Sequence, residues 1–378
     1  MRATTTAIAL WSKLLLFFHA SIAGAEEMAL EPTTAKMFSQ EWMDEFGKGN
    51  LGCTGPAIYP YGWTDAGYGS NINYLLLAWI NAIAEGNNDL TVVTNTERDF
   101  TGTECQVASS GAETRRGWPC IFAEMPHLCA FADEQEWVLF NSDRGLSDSE
   151  QHIVSRRNSY DYWRGQLRGV EASIAGLDGN VLDVVARLYD YLDSHLQPWF
   201  KADVQAILDE PAIAAMRGRN YVGMHIRHKP KETSITPTEE YFANVVKYLD
   251  AVPGGLAATD ISGLWLSTDK PATIDEVKVL APRYFPNVTP DEVVCATFRV
   301  PMRAVMHGQM VRRPASRNAY DALVLLRAEL EMLADADVFS GTFTSNLGRV
   351  VALMRHTKRK PPESTLSGDV PTWYFPGR

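Results

Sequence analysis

From residue 219 onward, apolar and polar positions fall into two alternating periods. Val222, Met224 and Ile226 alternate with Gly223, His225 and Arg227, a period of two that predicts a strand. The alternation stops at Arg227 and gives way to a polar loop, HKPKETS, before Pro237 opens a helix over 238–249. The same grammar repeats downstream. Strands are predicted at 264–268, 293–298 and 338–341, and helices after Pro271, over 319–334 and over 345–355. Residues 298–316 lack a clear period and read as loop, and after Lys358 the Pro, Ser and Gly content predicts a loop tail. Strands separated by helices of this length predict a parallel sheet.

The N-terminal half is less regular. A glycine turn at Gly67 and Gly69 leads into Ser70-Asn71, a helix N-cap pattern, and an apolar helix to residue 83. A short strand follows at 90–94, then a Trp- and Cys-bearing loop at 117–122. Helices are predicted over 147–167, capped by Ser147, and over 181–200, where one helix ends at Pro198. Residues 1–25 read as a leader: Met1-Arg2, an apolar run over 7–25 broken by Lys13 and His19, and Ala23-Gly24-Ala25 as the cleavage pattern. It is expected to be a signal peptide cut after Ala25 or, second, an uncut signal anchor; no other stretch is apolar enough to span a bilayer. The expected organisation is therefore 1–25 leader, 26–210 N-terminal α/β and helical lobe on the acceptor side, 211–358 nucleotide-binding lobe, and 359–378 tail.

Composition adds bounds. The chain has 378 residues, 46% hydrophobic and 21% charged, enough for two α/β lobes. A net charge of -11 argues against non-specific nucleic-acid binding. Of the five cysteines, the first four could form two disulfides in an oxidising compartment, and Cys295 reads as a free core thiol. The histidines lack zinc-ligand spacing.

Candidate chemistry gathers at the ends of the predicted strands. His225 and Arg227 share one side of their strand, and a basic strand end before a loop and helix suits an anion; a rim salt bridge is the plainer alternative. Glu329 falls inside the apolar stripe formed by Ala322, Leu325, Leu326, Leu330 and Leu333. A carboxylate there needs a partner. That partner is either an Arg or Lys, or the two-donor edge of a guanine. Gly341 to Ser345 lead from a strand into a helix, where free amides and the hydroxyls of Thr344 and Ser345 could cradle a phosphate or simply cap the helix. There is no GxGxxG and no lysine-bearing P-loop. Asp335-Ala336-Asp337 sits at a helix-to-strand junction, which disfavours a metal-binding DxD.

In order, GYGSNINYLLLAW (67–79), QPWF (197–200), VGMHIRHKPK (222–231), PTEEYF (237–242), LSTDKP (266–271), the helix around Glu329 and ADVFSGTFTSNLGRVV (336–351) resemble the α-1,6-fucosyltransferase family acting on N-glycan cores, and related GDP-fucose fucosyltransferases. The resemblance implies an α/β, two-lobed GT-B-like glycosyltransferase with a Rossmann-type nucleotide-sugar lobe in the C-terminal half. It implies a metal-independent, inverting transfer from GDP-fucose to a glycan hydroxyl in the Golgi lumen or secreted space, with no cofactor. Arg227 then matches the arginine on the diphosphate and Ser345 its phosphate-contacting serine. His225 and Glu329 match the guanine-holding pair, and Lys231, Tyr241 and Asp269 line the donor and acceptor site. This sequence departs from the pattern at His228, where the family has a second arginine, and at Pro230, where it has Asp. The loop to Pro237 is shorter, leaving Glu232 as the carboxylate available as base. The SH3-like extension and long stem of the vertebrate core enzyme are not expected here. The alternatives are a protein O-fucosyltransferase, or a catalytically degenerate, secreted nucleotide-sugar-binding protein.

Overall fold

The structure, a computed structural model, describes residues 57–60, 68–84, 90–95, 104–106, 114–123, 128–131, 181–228, 236–295 and 317–369. The leader, the predicted helix over 147–167, the loop over 298–316, and Lys231 and Glu232 lie outside the described residues.

The first described elements are β1 (Ala57–Pro60), α1 (Tyr68–Ala84), β2 (Leu90–Asn95), the antiparallel pair β3 (Glu104–Gln106) and β4 (Thr114–Arg116), α2 (Trp118–Ile121) and β5 (Leu128–Phe131). β1, β2 and β5 form a parallel sheet in that order. Helix α1 starts at Tyr68, so Ser70 and Asn71 lie inside its first turn and do not cap it. Gly69 has a different purpose: an added Cβ would stand 2.9 Å from Leu347 Cδ2 and 3.0 Å from the Asn346 carbonyl carbon. Residues 117–122 are not a loop, because Gly117 takes φ 62 and turns the chain directly into α2.

Three helices follow: α3 (Val181–Ser194), α4 (Pro198–Leu208) and α5 (Pro211–Arg217). Pro198 begins α4 and does not terminate α3. Its missing N–H would be unpaired at a first helical position anyway, and its fixed φ suits that position. The break between α3 and α4 is held by Gln197 N on Ile121 O at 2.8 Å and Ala123 N on His195 O at 2.7 Å.

The C-terminal half contains β6 (Tyr221–Ile226), α6 (Thr238–Ala251), β7 (Gly263–Thr268), α7 (Ala272–Tyr284), β8 (Val293–Val294), α8 (Arg317–Asp335), β9 (Val338–Gly341), α9 (Asn346–Thr357) and β10 (Thr365–Ser367). Their strands form a five-stranded, all-parallel sheet in the order β10-β9-β6-β7-β8. All of β6 and β7 is buried, as expected of a parallel sheet covered on both faces. Val222, Met224 and Ile226 pack with Tyr241, Phe242 and Val245 of α6 and Val277 of α7. On the other face, an added Cβ at Gly223 would meet Ala336 Cβ at 3.0 Å and Leu333 Cα at 3.3 Å, so α8 lies directly on the strand. A second core joins α8 and α9 to α1, α3 and α4.

The expected loop after Lys358 is corrected. Thr365–Ser367 add to β9 as an edge strand, and Gly368 N extends the ladder onto Gly341 O at 2.8 Å. Buried Arg355 secures it, donating to Thr365 Oγ1 at 2.8 Å, Ser364 Oγ at 2.6 Å and Ala336 O at 2.5 Å. Burial draws the Arg355 guanidinium down to about 10.

Counted in chain order within this sheet, the strands run 5-4-1-2-3, the order of a Rossmann-type half. The order reverses between β6 and β9. After β6 the chain passes to α6 on one face; after β9 it passes to α9 on the other. At such a reversal a doubly wound sheet places its ligand crevice, outside the carboxyl ends of the strands.

Candidate functional site

Two loop starts face each other across that crevice. Arg227 follows β6, and Thr342 to Ser345 follow β9. Arg227 Nη1 donates to Ser345 Oγ at 3.1 Å, joining residues 118 positions apart. Ser345 is fully buried and is the N-cap residue of α9, yet its side chain makes no capping bond to the helix. Its hydroxyl is turned to the guanidinium instead.

Thr342 holds the floor. Its hydroxyl donates to His225 O at 3.2 Å and accepts from Arg227 N at 3.1 Å. Tyr241 Oη lies 2.7 Å from the same oxygen and, because the Thr342 proton is already used, acts as the donor. Thr342 N also bonds His225 O at 2.9 Å. Sequence reasoning missed Thr342, because Ser and Thr at a helix start look alike until the fold says which one faces inward. Tyr241 is 1% exposed and braces Thr342.

Two buried nitrogens at the site have no hydrogen-bond partner among the described residues: His225 Nδ1 and Arg227 Nε. His225 is 3% exposed. Burial, and then the Arg227 charge, push its imidazole down to about 4, against smaller opposing effects of Asp269, Asp369 and a Thr342 backbone bond. His225 is therefore neutral near pH 7. These two nitrogens leave hydrogen-bonding capacity at the strand crossover that a polar ligand could use.

His228 is fixed from two sides. Its main-chain N–H donates to Asp269 Oδ1 at 3.0 Å, and its Nδ1 meets Thr273 Oγ1 at 3.0 Å. Asp269 thus reaches the rim from the end of β7. The phosphate-cradle expectation for Thr344 is corrected. Asp369 accepts Phe343 N at 2.7 Å, Thr344 N at 3.0 Å and the Thr344 hydroxyl. The loop's amides are already engaged by a carboxylate from beyond β10.

Glu329 joins the group by position. Leu333 of α8 lies against Gly223; four residues back along the helix is about 6 Å, and two residues along β6 is about 6.6 Å. Both steps lead to the carboxyl edge, so Glu329 is level with His225 on the same face of the sheet. Glu329 is 2% exposed and has a polar interaction of its own. Asp335 and Asp337 are at the opposite edge. Asp335 pairs with Arg217 at 3.3 Å and with Lys358, while Asp337 accepts Tyr221 N at 2.9 Å. Among the described residues, no cluster of His, Cys, Asp and Glu is gathered for a metal ion, and no helix is long and apolar enough to cross a membrane.

No family model matches the sequence, and no curated protein matches it. Among solved structures, fucosyltransferase NodZ from Bradyrhizobium aligns at 14% identity over 79% of this chain and 91% of its own, with a TM-score of 0.41. POFUT1 in complex with GDP-fucose aligns at 11% identity over 82% and 96%, with a TM-score of 0.39. A mutant of Arabidopsis thaliana FUT1 in complex with GDP aligns at 11% identity over 86% and 73%, with a TM-score of 0.44. The Rossmann-type assignment rests on this chain's own strand order and not on these superpositions.

Proposed function

We propose that this protein is a glycosyltransferase that moves fucose from GDP-fucose to a glycan hydroxyl, with inversion and without a metal ion. The observation that carries the proposal is the convergence of Arg227 and Ser345 across the strand crossover, beside two buried nitrogens with no partner among the described residues. A fixed guanidinium and hydroxyl are suited to a diphosphate, whose charge rises as the sugar departs. The choice of guanine and fucose is supported by the ordered motif set between residues 67 and 351.

In this reading Arg227 forks onto the diphosphate and Ser345 donates beside it. His225, being neutral, is unsuited to offsetting phosphate charge and suited to a base edge, level with Glu329. The acceptor oxygen attacks the anomeric carbon from the face opposite GDP. The bond from that carbon to the β-phosphate oxygen breaks, GDP leaves with the electron pair, and a carboxylate takes the acceptor proton. Glu232 is assigned that proton and Lys231 a second positive charge on the diphosphate.

The lobe boundary near residue 210, an acceptor side in the N-terminal lobe and an N-glycan core acceptor belong to the same proposal. So does a secretory location. Cys120 is disulfide-bonded, which agrees with an oxidising compartment. One observation favours a second reading, a silent GDP-sugar binder: position 228 carries an imidazole where the resembled family has a second arginine, and Thr273 takes one of its two ring nitrogens.

Labelled GDP-fucose, excess chelator, and N-glycan and Ser/Thr peptide acceptors test the proposal. Transfer in chelator is the expected result, with the labelled acceptor naming the class. GDP binding without transfer assigns the silent binder, and no GDP binding rejects both.

A further inference from the structure

Asp369 lies just beyond β10, in a stretch whose composition suggests only a tail, yet its carboxylate accepts four hydrogen bonds beside the site. Oδ1 accepts Phe343 N at 2.7 Å and Ser367 Oγ at 3.3 Å; Oδ2 accepts Thr344 N at 3.0 Å and the Thr344 hydroxyl. Two successive backbone amides and a hydroxyl are the donor set a helix approach ordinarily offers to a phosphate. Here it is filled from within. The placement is rigid. Gly368 N is bonded to Gly341 O at 2.8 Å, and an added Cβ at Gly368 would come within 2.2 Å of Tyr241 Cε1.

Consider the four-residue turn between β9 and α9. Thr342 is pinned on one side by Arg227 N, Tyr241 and His225. Phe343 and Thr344 are pinned on the other by Asp369. The backbone is thereby fixed up to Ser345, the next residue, whose hydroxyl falls 3.1 Å from Arg227 Nη1. We infer that Asp369 is a positioning residue for the diphosphate site: an internal anion that sets the 342–345 turn before any ligand arrives, so that Ser345 is presented to the ligand's phosphate. This rests on the nucleoside-diphosphate reading above. It also explains why the edge strand is anchored so firmly by Arg355: β10 carries Asp369 to the rim.

The test uses the full chain with Asp369→Ala and Asp369→Asn. Pyrophosphate and GDP affinities are measured by calorimetry, and hydrogen exchange is followed at the Phe343 and Thr344 amides. The expected result is about tenfold weaker pyrophosphate binding in Asp369→Ala, the loss of one positioned hydrogen bond to a charged ligand. Exchange at both amides rises. Millimolar formate, which refills the carboxylate position, restores both readings. Asp369→Asn, of the same shape but with a donor in place of one acceptor, weakens binding and is not rescued. In a Ser345→Ala background the affinity loss from Asp369→Ala disappears, an outcome that general destabilisation does not produce. Tighter pyrophosphate binding in Asp369→Ala overturns the inference, because Asp369 then competes with the ligand. Unchanged affinity, or unchanged exchange at both amides, also overturns it. If wild type binds neither GDP nor pyrophosphate, the functional reading fails separately, and exchange with formate rescue still decides whether Asp369 sets the turn.

Discussion

Replacing Arg227 with alanine separates function from stability in a way that follows from its bonds. Its side chain donates to Ser345 Oγ at 3.1 Å, and its buried Nε has no partner among the described residues. The bond to Ser345 is worth about 1.5–3 kcal/mol, and an unsatisfied buried donor costs about 1–3 kcal/mol, so the two nearly offset in the free protein. The main-chain bond from Arg227 N to Thr342 survives the substitution. Folding stability is therefore expected to change by less than about 1 kcal/mol, a Tm shift within about 4 °C. GDP binding loses a charged fork. Two charge-assisted bonds at the lower end of their range give about 3 kcal/mol, or about a 100-fold weaker Kd. Arg227→Lys keeps the charge without the fork and recovers only part of the loss. Thermal melts and GDP calorimetry on the same preparations read both quantities. A Tm drop well beyond 4 °C with GDP affinity retained would refute the reasoning and make Arg227 a structural rim residue.

Thr342→Val removes a hydroxyl that serves Arg227 N, Tyr241 and His225 at once; a loss of about 2–4 kcal/mol is expected in denaturant melts, with Thr342→Ser close to wild type. The His225 imidazole is held near 4 when folded and lies near 6.5 when unfolded, so the unfolded chain binds the extra proton first. Its contribution is complete above about pH 6.5 and is lost as pH falls toward 4, up to about 3 kcal/mol; His225→Gln flattens that part of the stability–pH curve. Gly348→Ala places a Cβ 2.3 Å from Thr342 O, so the turn must shift, and GDP affinity should fall along with Tm. Arg355→Met leaves the carbonyls of Ala334, Ala336, Asp337 and Ser364 without this donor and should lower stability by about 1–3 kcal/mol or more, read by chemical denaturation.

Much of the sheet was legible because its signals are local. Val222 to Arg227 switch character at the point where β6 ends, and the stripe around Glu329 marks α8. Pairing Arg227 with Ser345 required the strand order, which no local pattern contains; their candidacy came from residue type and their convergence from topology. Pro198 misled because proline both ends and begins helices, and only the Gln197–Ile121 bond decides which. Ser70-Asn71 misled because cap-type residues also tie helix ends together. Asn346 Nδ2 donates to Ser70 Oγ at 2.6 Å, and Asn73 Nδ2 to Asn346 O at 3.0 Å, one turn into α1. β10 and Asp369 were hidden by Pro, Ser and Gly composition, since a three-residue edge strand has too few positions to show a period.

The most direct test of the account is calorimetric titration of the purified protein with GDP in excess chelator, with Ser345→Ala titrated beside it. A fixed site at the β6–β9 crossover predicts saturable one-to-one binding in chelator, weakened at least tenfold by removing that single hydroxyl. Binding that appears only when a divalent cation is supplied, or that is indifferent to Ser345, would contradict it.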